Sequence, residues 1–107
     1  FCSHEETEGI VVLEALACGV PVLLRDIPVY RGWLEDGVNV YKAAGTAELR
    51  LRLAALLAGR LPDVTAAGRA VAEARALPVI GRELLRRYAA LPLPRRRSAA
   101  LPAHRPA

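Results

Sequence analysis

Glu6-Thr7-Glu8-Gly9-Ile10-Val11-Val12-Leu13-Glu14-Ala15-Leu16-Ala17-Cys18-Gly19-Val20-Pro21-Val22-Leu23-Leu24 is the stretch that decides the fold. Residues 10–18 are apolar apart from Glu14, which predicts a short helix. Gly19 follows as its C′ residue, and Val20-Pro21 cannot continue the helix. A short helix that is hydrophobic on every face is expected to lie buried against a sheet. The apolar run Val20–Leu24 then reads as a buried parallel strand, with Pro21 near its start, where a missing ladder donor is tolerated.

Working outward, Asp26 or Ile27 reads as a cap and Pro28 as the first residue of a short helix to Leu34. Glu35-Asp36-Gly37 is a turn, and Val38–Tyr41 a last short strand. On the other side, Phe1-Cys2-Ser3 looks like the end of a strand and not the start of a protein, so the chain is expected to be a fragment. Helix, strand, helix and strand at this spacing predict an α/β fold, the second half of a doubly wound domain with short parallel strands.

Beyond residue 45 the pattern becomes helical. Residues 47–58 carry Leu49, Leu53, Leu56 and Leu57 at helical spacing, with Thr46 as N-cap and Gly59 as the stop. Pro62-Asp63 opens a second helix through Arg75 whose apolar face is Val64, Ala67, Val71 and Ala74, and Pro78 opens a third over about 79–90. Residues 92–107 hold four prolines and Arg95-Arg96-Arg97 without periodicity, which predicts a disordered basic tail. The expected organisation is thus a half-domain over 1–45, helices over 46–91 and a tail over 92–107.

Composition sets the outer bounds. The 107 residues suffice for one small domain, and 53% hydrophobic content with only 5% aromatics favours helices packed on a core over an all-β fold. Cys2 and Cys18 have no metal or redox spacing and are expected to be small buried hydrophobes in a reducing compartment. With no leader pattern and no apolar run of membrane-spanning length, the expected location is cytoplasmic, any membrane contact being peripheral. Residues 1–44 hold seven acids against three bases, whereas 45–107 hold four acids against twelve bases. The basic half suits phosphates or anionic lipid, or is simply a set of solvated helix faces; no nucleic-acid partner is expected.

The chemistry is concentrated around the first helix. Glu14 lies in the middle of a helix with no other polar face, and a buried carboxylate needs a partner because losing its hydration costs several kcal/mol. It therefore meets either a structural cation or the hydroxyls of a ligand. Glu5, Glu6 and Glu8 cluster just before Gly9, which suits the helix dipole but exceeds what capping requires. Gly9 permits close backbone approach, and the amides of Gly9, Ile10 and Val11 can receive an anion or a sugar oxygen. In an α/β sheet such a strand-to-helix loop lies at the carboxyl edge, where ligands bind. Two carboxylates around bare amides describe a site for a phosphorylated, polyhydroxylated ligand.

Glu6 and Glu14 are separated by seven residues, and the string Glu-Gly-Ile-Val-Val-Leu-Glu-Ala-Leu-Ala-Cys-Gly-Val-Pro-Val resembles the E-x7-E region of retaining glycosyltransferases of family-four type (glycosyl transferases group 1), which have the GT-B fold. The family's E-G-F-G falls on Glu6-Thr7-Glu8-Gly9 and Ile10, with Ile10 near the place of its second glycine. The variant with Leu-Leu-Arg-Asp-Ile-Pro-Val-Tyr is similar to bacterial 1,2-diacylglycerol 3-glucosyltransferases. The resemblance covers residues 1 to about 45; beyond that the agreement is only helical.

What the resemblance implies is a Rossmann-like C-terminal half-domain that binds a nucleotide-sugar donor, with UDP-glucose as donor and a membrane diacylglycerol as acceptor. A soluble or polysaccharide acceptor, or a truncated non-catalytic chain, are the alternatives. Glu6 is the expected catalytic residue, holding hexose hydroxyls and stabilising charge. Glu14 is expected on the ribose hydroxyls, and Gly9, Ile10 and Val11 would offer amides to the donor sugar or its diphosphate. No cofactor and no metal are expected, because Arg, Lys and amides answer the diphosphate in this family. Those Arg and Lys residues lie upstream of this sequence, as does the acceptor-binding N-terminal domain, so this piece alone is expected to be inactive. Among lesser candidates, His4 reads as a surface residue, Tyr30 and Trp33 as core, and Arg25 and Asp26 as rim residues used in capping and pairing.

Overall fold

The computed structural model describes residues 1–92. The element order is α1 (Ile10–Ala17), β1 (Leu23–Arg25), a 3-10 turn (Pro28–Tyr30), β2 (Tyr41–Ala43), α2 (Thr46–Leu57), α3 (Thr65–Ala74) and α4 (Leu77–Ala90). The two strands pair in parallel with Leu23, Leu24 and Arg25 opposite Tyr41, Lys42 and Ala43. Phe1 extends the ladder on the far side of β1: its nitrogen donates to the Leu23 carbonyl at 2.7 Å, and the Arg25 amide donates to the Phe1 carbonyl at 3.0 Å. That alternation is the hydrogen-bond pattern of a parallel pair, so Phe1 does sit at a strand position. The chain is α/β with parallel strands, as its sequence predicts.

One core forms between the sheet and the α1–α3 pair. Val12 and Leu16 of α1, Leu24, Ile27, Tyr30, Leu34, Val40 and Ala72 are buried together. On the other side α2 packs on both strands through Leu49, where Tyr41 and Ala43 are also buried. The alternation of side chains across a strand places Tyr41 and Ala43 on that one face. The approach of α3 to α1 depends on Gly68. A Cβ there would lie 2.7 Å from Leu16 Cδ2 and 2.8 Å from the Asn39 carbonyl oxygen, so only a bare Cα fits.

Several elements differ from expectation for identifiable reasons. α1 ends as predicted, with Gly19 at φ 70° and its amide bonded to the Leu16 carbonyl at 3.0 Å. It is not buried all round, however: Ile10 is 57% and Val11 51% exposed, and only Val12 and Leu16 are buried. The helix expected over Pro28–Leu34 stops at Tyr30, because Arg31 turns extended and Gly32 takes φ 81°. The last strand starts at Tyr41, three residues late, because Val38–Val40 are spent on the turn. Their amides converge on the Glu35 carbonyl, and Asn39 Oδ1 accepts from the Glu35 amide at 2.8 Å. β1 likewise begins only at Leu23, two residues beyond Pro21.

Among the helices, Gly45 is the N-cap of α2, and Thr46 is its first residue. Glu48 serves this terminus instead, accepting from the Ala44 amide at 2.8 Å. α3 is turned relative to its expected face: Val64, Gly68 and Ala72 are buried while Ala67 and Ala74 are exposed, since Gly68 sets the line of closest approach. Both cysteines are exposed, a correction to the expected burial. Cys18 caps the outward end of α1, and Cys2 lies just past the strand position of Phe1. Among the described residues no helix is long and apolar enough to cross a membrane. The basic tail expected over 92–107 lies, from residue 93 onward, outside the described residues.

Candidate functional site

The Glu6–Glu14 segment is shaped from below by aromatic packing. Gly9 is buried and adopts φ 74°, the left-handed conformation that turns the loop into α1. A Cβ on it would meet Tyr30 Cε1 at 2.8 Å and Trp33 Cζ2 at 3.7 Å. Tyr30 is 2% exposed and meets Trp33 edge-on, with ring centroids 6.0 Å apart. The Trp33 indole N–H donates to the Val29 carbonyl at 2.7 Å, which fixes the ring. Arg75, at the end of α3, places its guanidinium carbon 4.6 Å from the Trp33 ring centroid. Gly9, Tyr30, Trp33 and Arg75 thus form one continuous stack under the loop. Burial pushes the Tyr30 phenol above its ordinary value, and the nearby Glu6 carboxylate pushes it further.

Above this stack the start of α1 is open. The Gly9 carbonyl accepts from the Val12 and Leu13 amides at 2.9 and 3.3 Å, and no side chain caps the helix. The first-turn amides of Ile10 and Val11, which have no intrahelical acceptor, are therefore left for solvent or ligand. The structure puts Gly9 beneath these two donors, buried as the hinge of the turn.

The two glutamates line adjoining hollows. Glu14 faces a cleft of about 800 Å³ that it shares with Glu8, Ile10, Leu13, Trp33 and Arg75, with Leu77 and Ile80 of α4 forming part of its wall. Glu6 borders a smaller groove of about 270 Å³ with His4, Glu5, Ile27 and Pro28. Val29 lines both. The two glutamates therefore line different cavities that share Val29.

The expectation that Glu14 is buried is corrected: its side chain is exposed, and no polar residue belongs to the buried core among the described residues. Because α1 buries only the Val12–Leu16 face, Glu14 lies on the outward side, so desolvation does not require a partner for it. Its carboxylate enters no ion pair among the described residues. That leaves it able to accept from two adjacent hydroxyls, as a carboxylate can.

The lesser candidates are mostly structural. Asp26 pairs with Lys42 at 3.3 Å. Arg25 donates to the carbonyls of Cys2 and Ala44 at 3.3 and 3.4 Å, tying together the carboxyl ends of the three strand positions. Trp33 is more than core, since one part of it lines the Glu14 cleft. Arg75 was not singled out by sequence. A cation at the C-cap of a helix is adequately explained by the dipole, and its partner Trp33 is remote in the chain. No group of three or more metal-ligating side chains occurs among the described residues.

Comparison with known proteins adds an independent line. Residues 1–74 match the profile of the family described as "Glycosyl transferases group 1". The chain is 40% identical over 88 residues to the processive diacylglycerol alpha-glucosyltransferase of Acholeplasma laidlawii, an alignment covering 82% of this chain and 26% of that protein. The chain therefore spans about a quarter of the length of this relative. No solved structure matches.

Proposed function

This chain belongs to the glycosyl transferases group 1, and from that premise we propose that it carries part of the donor site of a retaining hexosyltransferase. The proposed reaction moves glucose from UDP-glucose to a diacylglycerol. The bond between the anomeric carbon and the diphosphate oxygen breaks and uridine diphosphate leaves, while an acceptor hydroxyl bonds to the same face and passes its proton to the departing phosphate oxygen. The observation that carries the reading is the opening of α1: two uncapped amides flanked by Glu6 on one side of Val29 and Glu14 on the other.

Each group has a distinct task. Glu14, which enters no ion pair among the described residues, accepts from the ribose hydroxyls. Glu6, next to the turn, holds hexose hydroxyls and stabilises positive charge that develops on the sugar ring as the diphosphate departs. The Ile10 and Val11 amides and the amino-terminal end of the α1 dipole favour the anionic part of the donor. Gly9 contributes by shape, since its left-handed turn lets the loop pass directly over Tyr30. No metal cofactor is assigned. The lipid acceptor is supported by the name of the Acholeplasma relative, and the protein would meet it at the cytoplasmic face of a membrane without spanning it.

The test is transfer by the protein expressed from its complete reading frame, with UDP-glucose and diacylglycerol in detergent micelles. The expected product is an α-glucosyl diacylglycerol, its anomeric configuration read by NMR and matching that of the α-linked donor. Transfer confined to soluble sugars would overturn the lipid acceptor, and a β-linked product would overturn retention.

A further inference from the structure

Among the described residues, Arg75 is the one cation lining the Glu14 cleft. Its guanidinium lies 4.6 Å from the Trp33 ring centroid and enters no ion pair with a carboxylate among the described residues. The arrangement differs from that of Arg52, Arg69, Arg86 and Arg87, each of which is neutralised by a nearby carboxylate. Trp33 is itself locked, by its hydrogen bond to the Val29 carbonyl and by the edge of Tyr30. A guanidinium stacked on a fixed aromatic face keeps its in-plane N–H groups free to donate, and its planar fork matches two oxygens of a phosphate.

We propose that Arg75 is a donor-binding residue of this cleft, contacting a phosphate of the nucleoside diphosphate while Glu14 holds the ribose. The proposal rests on the donor-site reading above and extends it to α3, outside the Glu6–Glu14 segment. It makes the cleft a two-ended site: a carboxylate for the hydroxyls of the nucleoside and a guanidinium for its anion. Trp33 acts as a positioning residue, setting the place of Arg75 without touching the ligand.

The experiment titrates uridine diphosphate and, separately, uridine into the protein expressed from its complete reading frame, as wild type, Arg75→Gln, Arg75→Lys and Glu14→Ala. Arg75→Gln is expected to weaken uridine diphosphate binding roughly tenfold or more, the range of a lost charge-assisted hydrogen bond, and to leave uridine binding unchanged. Arg75→Lys restores part of the loss, since charge remains but the fork does not. An Arg75 needed only for helix capping or for packing on Trp33 would shift both ligands together or neither, and either result would overturn the proposal. If Glu14→Ala weakens both ligands while Arg75→Gln weakens neither, the donor-site reading stands and the Arg75 proposal fails. If Glu14→Ala has no effect on either ligand, the donor-site reading itself fails.

Discussion

Replacing Gly9 by alanine is expected to destabilise the fold by about 2–4 kcal/mol and to disable donor binding with it. Two costs add. The first is conformational: φ of 74° lies in the left-handed region, which an L-residue with a Cβ occupies at a cost of about 1 kcal/mol or more. The second is steric, because the new methyl would sit 2.8 Å from Cε1 of Tyr30, a side chain only 2% exposed and backed by Trp33. Overpacking against a buried ring of this kind costs about 1–3 kcal/mol. Chemical denaturation of the wild type and the variant measures the loss. The contrast is Gly19→Ala, which carries a similar backbone strain at φ 70° but meets no atom within 4 Å. It should show only the smaller, conformational part. Equal losses at the two positions would mean that the Tyr30 platform does not constrain the loop.

The second large effect concerns chemistry. Glu6→Gln keeps the size and hydrogen-bonding reach of the side chain but removes its charge. If the carboxylate stabilises positive charge on the departing sugar, kcat for glucosyl transfer falls roughly 10²-fold, while KM for the donor changes little. A rise in KM at constant kcat would make Glu6 a ground-state binding group and not a catalytic one. Tyr30 offers a check on its position: the same substitution removes a negative charge next to the phenol, so the Tyr30 pKa should fall toward its ordinary value.

Much of this architecture is written in local signals. The glycine stop at Gly19, Pro28 at the start of its turn and the change from strand-length runs to helical spacing after Gly45 each depend on a few neighbouring residues, and each appears where expected. Features that depend on distant contacts were not legible in this way. The helical spacing of α3 predicts a face through Ala67 and Ala74, but close approach to Leu16 and Asn39 selects the line through Gly68. The apolar composition of α1 suggests burial on all sides, whereas the structure buries one face and leaves Ile10, Val11 and Glu14 outward.

The site shows the same division. Glu6, Gly9 and Glu14 are visible because they are close in sequence and share a motif. Their separation by Val29, and the convergence of Trp33 and Arg75 on the Glu14 cleft, come from the 3-10 turn and α3, far along the chain. The exposure of Glu14 also changes the argument for its role. Desolvation does not demand a ligand, so its assignment stands on position, on the absence of an ion-pair partner among the described residues, and on family membership.

The central claim is that the cleft under Glu14 receives the nucleotide of the donor. The most direct test is calorimetric titration of uridine diphosphate into the Glu14→Ala variant of the protein expressed from its complete reading frame. Because Glu14 is exposed, the substitution should leave the fold intact. Loss of charge-assisted bonds to two hydroxyls predicts binding about 3 kcal/mol weaker, roughly 10²-fold. Wild-type affinity in a stably folded Glu14→Ala protein would contradict the account.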